Sequence, residues 1–292
     1  MLVAHFSDIH LLTLEGARPV DFLNKRVTGA ANLLLNRRGQ FPLHVAQALV
    51  ADLREQLVDH VILSGDLTNL ALPAELERVR ALLEELPLPR ERITVVPGNH
   101  DVYTRAAAAR DDFGRVLEPF LRGDRDRQSG PGRFPLLRLQ DGLAVLALSS
   151  AVPSLPLLAI GKLGGAQLQA AEALLGSAEC RDRFRLVVLH HPPAHPKAHW
   201  HNRLVDETAL LALLRRTGAE LVVHGHLHRF SELWLPGPAS PIPMLGVASG
   251  TFLSRRNPEH RAQYNLYELE GRRLVGVRRR RWDPGTGEFC EL

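Results

Sequence analysis

The chain has 292 residues, a formal net charge of +4 and two cysteines. Hydrophobic residues at 45% and charged residues at 23% are a globular balance, which excludes wholesale disorder. No apolar run reaches the ~18–20 residues of a membrane helix. The longest, 143–160, is broken by Ser149, Ser150, Pro153, Ser154 and Pro156.

In chain order, Leu2 to Phe6 reads as a short buried strand. Leu43, Ala46, Val50, Leu53 and Leu57 recur at helical spacing. Val61 to Ser64 is an apolar run stopped by Gly65, a second strand. Pro73 suits the first turn of a helix whose inner face is Leu76, Val79, Leu82 and Leu86. Ile93 to Val96 is a strand ended by Pro97-Gly98. Residues 102–135 are polar and Arg-rich, and read as a partly helical surface excursion. Then follow a strand at Leu143 to Leu148, a helix at Ala166 to Leu175 and a strand at Leu186 to Leu189. A helix at Asp206 to Arg215 and a strand at Leu221 to His224 complete this alternation.

Residues 231–292 differ. Short β-like runs (Met244 to Val247, Tyr264 to Leu269, Arg273 to Val277) are separated by Gly and Pro, with no helix signal. Without a repeat or a low-complexity linker, one domain over 1–292 is expected. It would have a motif-bearing part at 1–230, a β-rich part at 231–292, and a sheet-rich core with helices outside.

Polar clusters follow the strands of the first part. They are Asp8-Ile9-His10, Gly65-Asp66, Gly98-Asn99-His100-Asp101, His190-His191-Pro192 and Gly225-His226-Leu227-His228. In an open α/β sheet, ligands bind beyond the carboxyl ends of the strands, so parallel strands would bring these clusters to one edge. Carboxylate, amide and imidazole donors without a thiolate suit divalent first-row metals. Asp8, His10, Asp66, Asn99, His190, His226 and His228 are too many donors for one ion. A pair of ions sharing a carboxylate accommodates them and serves displacement at phosphorus. Gly65, Gly98 and Gly225 would relieve crowding at this centre. Residues two apart in extended chain face the same side. That expectation has Asp8/His10 and His226/His228 facing the metals, with Ile9 and Leu227 in the core.

The order D-x-H, G-D, G-N-H-D, H-H-P, G-H-L-H over residues 8–228 resembles the calcineurin-like metallophosphoesterase superfamily, its small bacterial phosphodiesterase branch most of all. The resemblance implies an α/β (α+β) four-layer αββα sandwich, with two central mixed sheets flanked by helices. It implies that Asp66 bridges two divalent ions. Asp8, His10 and His228 would complete one site, and Asn99, His190 and His226 the other. His190 is preferred to His191 as the first histidine of H-x-P. His100 would meet the phosphate or the leaving group without ligating, with Asp101 orienting its imidazole. The implied activity is hydrolysis of phosphodiester bonds by in-line attack of a metal-bridging hydroxide. Mn, Fe and Zn all fit the donors, with Mn favoured. The alternatives are a pyrophosphatase acting on a lipid-linked nucleotide sugar and a metal-binding scaffold without catalysis.

Other features carry less. A small-molecule phosphoester is the expected substrate, and nucleic acid is not an expected partner. A basic stretch with an apolar centre (Asn24-Lys25-Arg26, Ala30 to Leu35, Arg37-Arg38) would cap the site or touch a membrane surface. A homodimer is the common assembly for such chains. Arg272, Arg273 and Arg278 to Arg281 read as a guarded strand edge or as a contact for an anionic partner. His191, His195, His199, His201 and Trp200 read as a polar active-site loop, or as substrate contacts. His5, His44, His60 and His260 read as structural, and His224 as core or support for the ligands. Cys180 and Cys290 match no disulfide or metal spacing, and Met1 leads into a strand without a basic n-region. A cytoplasmic location follows as the expectation.

Overall fold

The computed structural model describes residues 1–22, 26–27, 39–124, 133–155, 158–254 and 257–292. The basic stretch of residues 24–38 therefore lies outside the described residues, apart from Arg26 and Val27. Among the described residues, twelve strands form two six-stranded sheets.

The first sheet is built on β1 (Leu2–Phe6), β2 (His60–Leu63) and β3 (Ile93–Val95), all parallel. On the other side of β1, β10 (Gln263–Glu270), β11 (Arg273–Asp283) and β12 (Glu288–Glu291) continue the sheet antiparallel. The second sheet runs β4 (Leu136–Gln140), β5 (Leu143–Ala147), β6 (Phe184–Val188), β7 (Leu221–His224), β9 (Ile242–Gly246), β8 (Ser231–Leu235). Its four inner strands, β5, β6, β7 and β9, are parallel, and β4 and β8 are antiparallel edges.

Strand periodicity shows how the layers stack. Successive side chains point to opposite faces, so a strand buried on both faces alternates between two cores. Leu143, Val145 and Ala147 of β5 join one core, with Leu186 and Val188 of β6 and with Val3 and Ile62 of the first sheet. Ala144, Leu146, Val187 and Val222 point the other way, to Ala171 and Leu175 of the helix Gly165–Leu175 and Leu210 and Leu214 of the helix Glu207–Thr217. On the far side, the helix Leu43–Glu55 lays Val45, Leu49 and Leu53 into the first core. The helix Pro73–Glu84 adds Leu76, Val79 and Leu82. This is the helix–sheet–sheet–helix order.

Two expectations need correction here. The described part of 102–135 is not all a surface excursion. Short helices at Arg105–Arg110 and Asp112–Val116 lead into a turn, and Phe113, Leu117, Phe120 and Leu121 are buried in the main core. Their spacing is itself helical, an apolar stripe hidden among arginines. The arginine row of β11 is an edge only over its first half, because β12 pairs with Arg280 to Asp283. Arg280 holds the buried Asp52 through Nε and Nη2, each at 2.6 Å. Arg278 reaches Glu268 at 2.8 Å, Arg272 pairs with Glu220, and Arg279 lies over the Phe230 ring at 4.4 Å. Most of this row is therefore engaged within the fold. Among the described residues, no helix is long and apolar enough to cross a membrane.

Candidate metal centre

The carboxyl ends of β1, β2, β3, β6 and β7 meet where the two sheets face each other, so the motif residues come from both sheets rather than from one edge. Ser7 bridges to Ser249 and Leu11 to Thr68, fastening the β1 loop on either side. Asp8 N donates to Gly65 O at 2.9 Å, and His10 N to Asp66 O at 3.1 Å.

Asp8, His10 and His228 form one group. His228 Nε2 lies 3.1 Å from Asp8 Oδ1, and 3.3 Å from His10 Nε2. Two nitrogens each ~2.0–2.1 Å from a common ion at a tetrahedral angle stand roughly 3.4 Å apart. Asp66 sits between the halves, with Oδ2 3.9 Å from His10 Nε2 and 3.4 Å from His190 Nε2. Metal-suited groupings are Asp8/His10/His228, Asp8/Asp66/His190, His10/Asp66/His100 and His190/His191/His226.

The supporting contacts set each ring. His190 Nδ1 donates to Ser64 O at 2.7 Å, which turns Nε2 toward Asp66, where it carries the ring's second proton until a cation displaces it. His226 Nε2 donates to Asn202 O at 3.0 Å, which leaves Nδ1 as its acceptor nitrogen. Fixing a ligand histidine through its other nitrogen is a usual property of metal sites. His191 is committed elsewhere. Its Nε2 donates to Ala159 O at 3.0 Å, and its Nδ1 accepts from Ser150 Oγ at 2.8 Å. His100 Nδ1 donates to Asn69 O at 2.7 Å, so Nε2 is its remaining nitrogen.

Electrostatics follow from burial and proximity. Burial pushes the Asp66 carboxyl up, but His190 and His100 outweigh it and hold it well below the carboxylate range. Burial also opposes ionisation of Asp8, and His228 holds it low. Burial pulls His190 down, yet Asp66 raises it to about 9. His226 is left near 3 by burial, with His190 adding to the effect. The centre is thus a buried, electron-rich cluster of the kind a cation stabilises.

Whether the residues fit metal ions is answered by atoms with no hydrogen-bond partner. Asp8 Oδ1, Asn99 Oδ1 and His190 Nε2 are buried without one. An unsatisfied buried acceptor costs about 1–3 kcal/mol, and coordination removes that cost. The glycines carry the same message. A Cβ on Gly98 would collide with Asp66 Oδ1, and one on Gly65 would lie 2.8 Å from His190 Nδ1. The donor set and its packing fit divalent ions.

The sequence profile of the calcineurin-like phosphoesterase family matches residues 1–230. The chain belongs to that family. This phosphoesterase is 31% identical over 209 residues to a Synechococcus protein named as a probable cyclic nucleotide phosphodiesterase, covering 71% of the chain and 68% of the relative. Its fold is similar to a dimetal phosphatase from Danio rerio, with TM-score 0.62 and 15% identity over 96% of this chain and 95% of that one. It is also similar to a purple acid phosphatase from yellow lupin seeds, with TM-score 0.61 and 11% identity over all of this chain and 52% of that one.

Three sequence expectations are revised. Asp101 does not meet the His100 ring. Its carboxylate accepts from Leu67 N at 3.0 Å, Thr68 N at 2.8 Å, Thr68 Oγ1 at 2.9 Å and Gly98 N at 2.8 Å. It therefore clamps the two loops that carry Asp66 and Asn99. Burial first, and the nearby Asp66 charge second, push it up to about 6. Asp8, His10, His226 and His228 are not extended either, because each has left-handed backbone with φ between 44° and 69°. Their side chains converge because the chain turns tightly. Ile9 does enter the core, whereas Leu227 is only half-buried and joins no core cluster among the described residues. Among the histidines read as structural, His5 joins Tyr267 Oη and Ser64 Oγ, and His60 joins Thr94 Oγ1 and Gln140 Oε1. His224 is buried, with Nδ1 on Gly225 O.

Several neighbours escaped the sequence reading. Asn69 supports two histidines, since its O accepts from His100 and its Nδ2 donates to His10 O at 3.3 Å. Its place three residues after Asp66 was the available signal. Ser249 Oγ donates to Asp8 O at 2.6 Å, and Thr251 Oγ1 to Ile9 O at 2.7 Å. Phe41 and Phe252 flank His10 and His228, and nothing in their local sequence marks them.

Proposed function

We propose that this phosphoesterase hydrolyses phosphodiester bonds, with a 3′,5′-cyclic nucleotide as its substrate class. The folded unit of this reading is a single domain over residues 1–292. Asp8, His10 and His228 would hold one divalent ion, Asn99, His190 and His226 a second, and Asp66 would stand between them. The observation that carries this is the convergence of Asp8, His10 and His190 on Asp66, together with a buried Asn99 Oδ1 that has no hydrogen-bond partner among the described residues. The name of the Synechococcus relative directs the substrate choice to cyclic nucleotides. Bound ions would supply charge neutralisation at the phosphoryl oxygens and an acidified water. Mn²⁺ is the proposed occupant, since carboxylate, amide and imidazole donors without thiolate suit it. Two unpaired cysteines, Cys180 and Cys290, agree with a reducing cytoplasmic setting.

The chain's own groups have distinct tasks. The Asn69 carbonyl fixes the tautomer of His100, so Nε2 is where this ring donates or accepts a proton. A proton held at Nε2 suits donation to a phosphoryl oxygen or to the departing alkoxide, which is general acid chemistry. Tyr103 stacks on the His100 ring at 5.3 Å and limits its rotation. Asp101 keeps the Asp66 and Asn99 loops in register through its backbone clamp. The test is initial rates with added Mn²⁺ on an aryl phosphodiester, the matching monoester and a 3′,5′-cyclic nucleotide. Diester preference is expected, and a preference for the monoester would overturn the reading.

A further inference from the structure

One turn beside the centre is built to present an aromatic ring. Between β9 and β10, residues 249–252 are tied to the β1 loop at successive carbonyls. Gly250 N donates to Ser7 O at 2.7 Å, Ser249 Oγ to Asp8 O at 2.6 Å, and Thr251 Oγ1 to Ile9 O at 2.7 Å. Within the turn, Phe252 N donates to Ser249 Oγ at 3.2 Å. Ser249 and Thr251 are fully buried, while Phe252 is only half-buried. The backbone under Phe252 is therefore fixed to the same loop that carries Asp8 and His10.

The ring lies 6.4 Å from His228 and 5.4 Å from Phe41. Phe41, also half-buried, lies 4.7 Å from His10 at 61° and 6.2 Å from His228 at 86°. Neither phenylalanine belongs to a core cluster among the described residues. A rigidly held aromatic wall next to a centre that would hold divalent ions, and through them a phosphoryl group, is pre-organised for a ligand with one charged end and one planar apolar end.

We propose that Phe252, with Phe41 behind it, is the specificity wall of this phosphoesterase and receives the nucleobase of the substrate. The phosphoryl group would lie among Asp8, His10, Asp66 and His228. This inference rests on the phosphodiesterase reading above and adds the residues that choose the organic group. Every base has a π-face, and stacking one base on one aromatic side chain changes affinity by roughly five- to hundredfold.

The experiment uses binding, which needs no turnover. The full chain is loaded with Mn²⁺, and calorimetry measures affinity for adenosine 5′-monophosphate, glycerol phosphate and inorganic phosphate. The variants are Phe252→Leu, Phe252→Tyr and Phe41→Leu, with circular dichroism reporting their fold. The wild type is expected to favour the nucleotide over glycerol phosphate. Phe252→Leu should lower that preference at least about fivefold, Phe41→Leu should lower it less, and Phe252→Tyr should keep it. No nucleotide preference in the wild type would overturn the proposal. So would a parallel loss for all three ligands in Phe252→Leu, which means the ring only packs the metal-site histidines. A wild type that cleaves no diester yet binds the nucleotide preferentially would sink the phosphodiesterase reading and keep the wall. A wild type active on diesters with a flat preference would do the reverse.

Discussion

Asp66→Asn in metal-free protein tests the electrostatics of the centre most directly. The side chain keeps its shape and loses its charge. His190 feels two opposed effects, burial pulling its proton affinity down and Asp66, 3.4 Å away, raising it to about 9 from 6.5. The folded value lies above the unfolded one. The stability His190 contributes is thus fully present below pH 6.5 and is lost as pH rises through about 9. At ~1.4 kcal/mol per pH unit, that span amounts to about 3 kcal/mol, or a Tm change of roughly 5 °C or more. In Asp66→Asn the Asp8 charge and the Ser64 carbonyl still raise His190, but the largest upward influence is gone, so His190 should titrate well below the wild-type value and this loss should shrink. Thermal melts of metal-free wild type and variant between pH 6 and 9.5, with the His190 ring followed by NMR, read both effects. Metal binding should also release the His190 proton at pH 7.5 in the wild type, visible in calorimetry with buffers of different ionisation enthalpy. If both proteins show the same pH slope and the same His190 titration, Asp66 does not control His190 and the account of the centre fails.

Further expectations follow from the same geometry. His100→Ala should retain two metal equivalents by elemental analysis while kcat falls by roughly 10²–10⁴-fold; loss of metal would make His100 a ligand instead. Gly98→Ala places a methyl against Asp66 Oδ1 and should weaken metal binding by roughly 10–100-fold in calorimetric titration. Unchanged affinity there would refute the crowding argument. Glu75 is buried and pushed up to about 7 from 4.5, so the stability it contributes is present below pH 4.5 and lost as pH rises through 7. That loss is about 3 kcal/mol at ~1.4 kcal/mol per unit, and Glu75→Gln should flatten the fall in Tm between pH 5 and 8.

The inner strands were readable because they are buried on both faces, and runs such as Leu143 to Leu148 are apolar throughout, as burial between two layers requires. The edge strands β4, β8 and β12 were not. Glu232 and Trp234 of β8 are exposed, so the strand reads as a polar connection. The helix stripe of Phe113, Leu117 and Phe120 was masked by flanking arginines, whose charge said surface while their spacing said core. At the centre, the residue types and their order were legible, but the conformation was not. A period of two suggested extended pairs, and the chain instead turns through left-handed residues. Asp101 shows the same limit. Adjacency to His100 suggested a side-chain partner, whereas the carboxylate reaches four donors on two loops. Phe41 and Phe252 lie far apart in sequence and meet only through the fold.

The left-handed backbone at Asp8, His10, Asp66, His226 and His228 has a consequence for anyone selecting sturdier variants. For a residue with a side chain, that conformation costs about 1–2 kcal/mol. A library screened for heat resistance without ions would therefore enrich glycine or asparagine at these positions, because the inert protein is the easier one to hold together. Such winners would melt late and do nothing. Selection in the presence of the proposed ion reverses the ranking, since only the original residues gain binding free energy on folding. Survival curves taken with and without Mn²⁺ would then sort the same library in opposite orders.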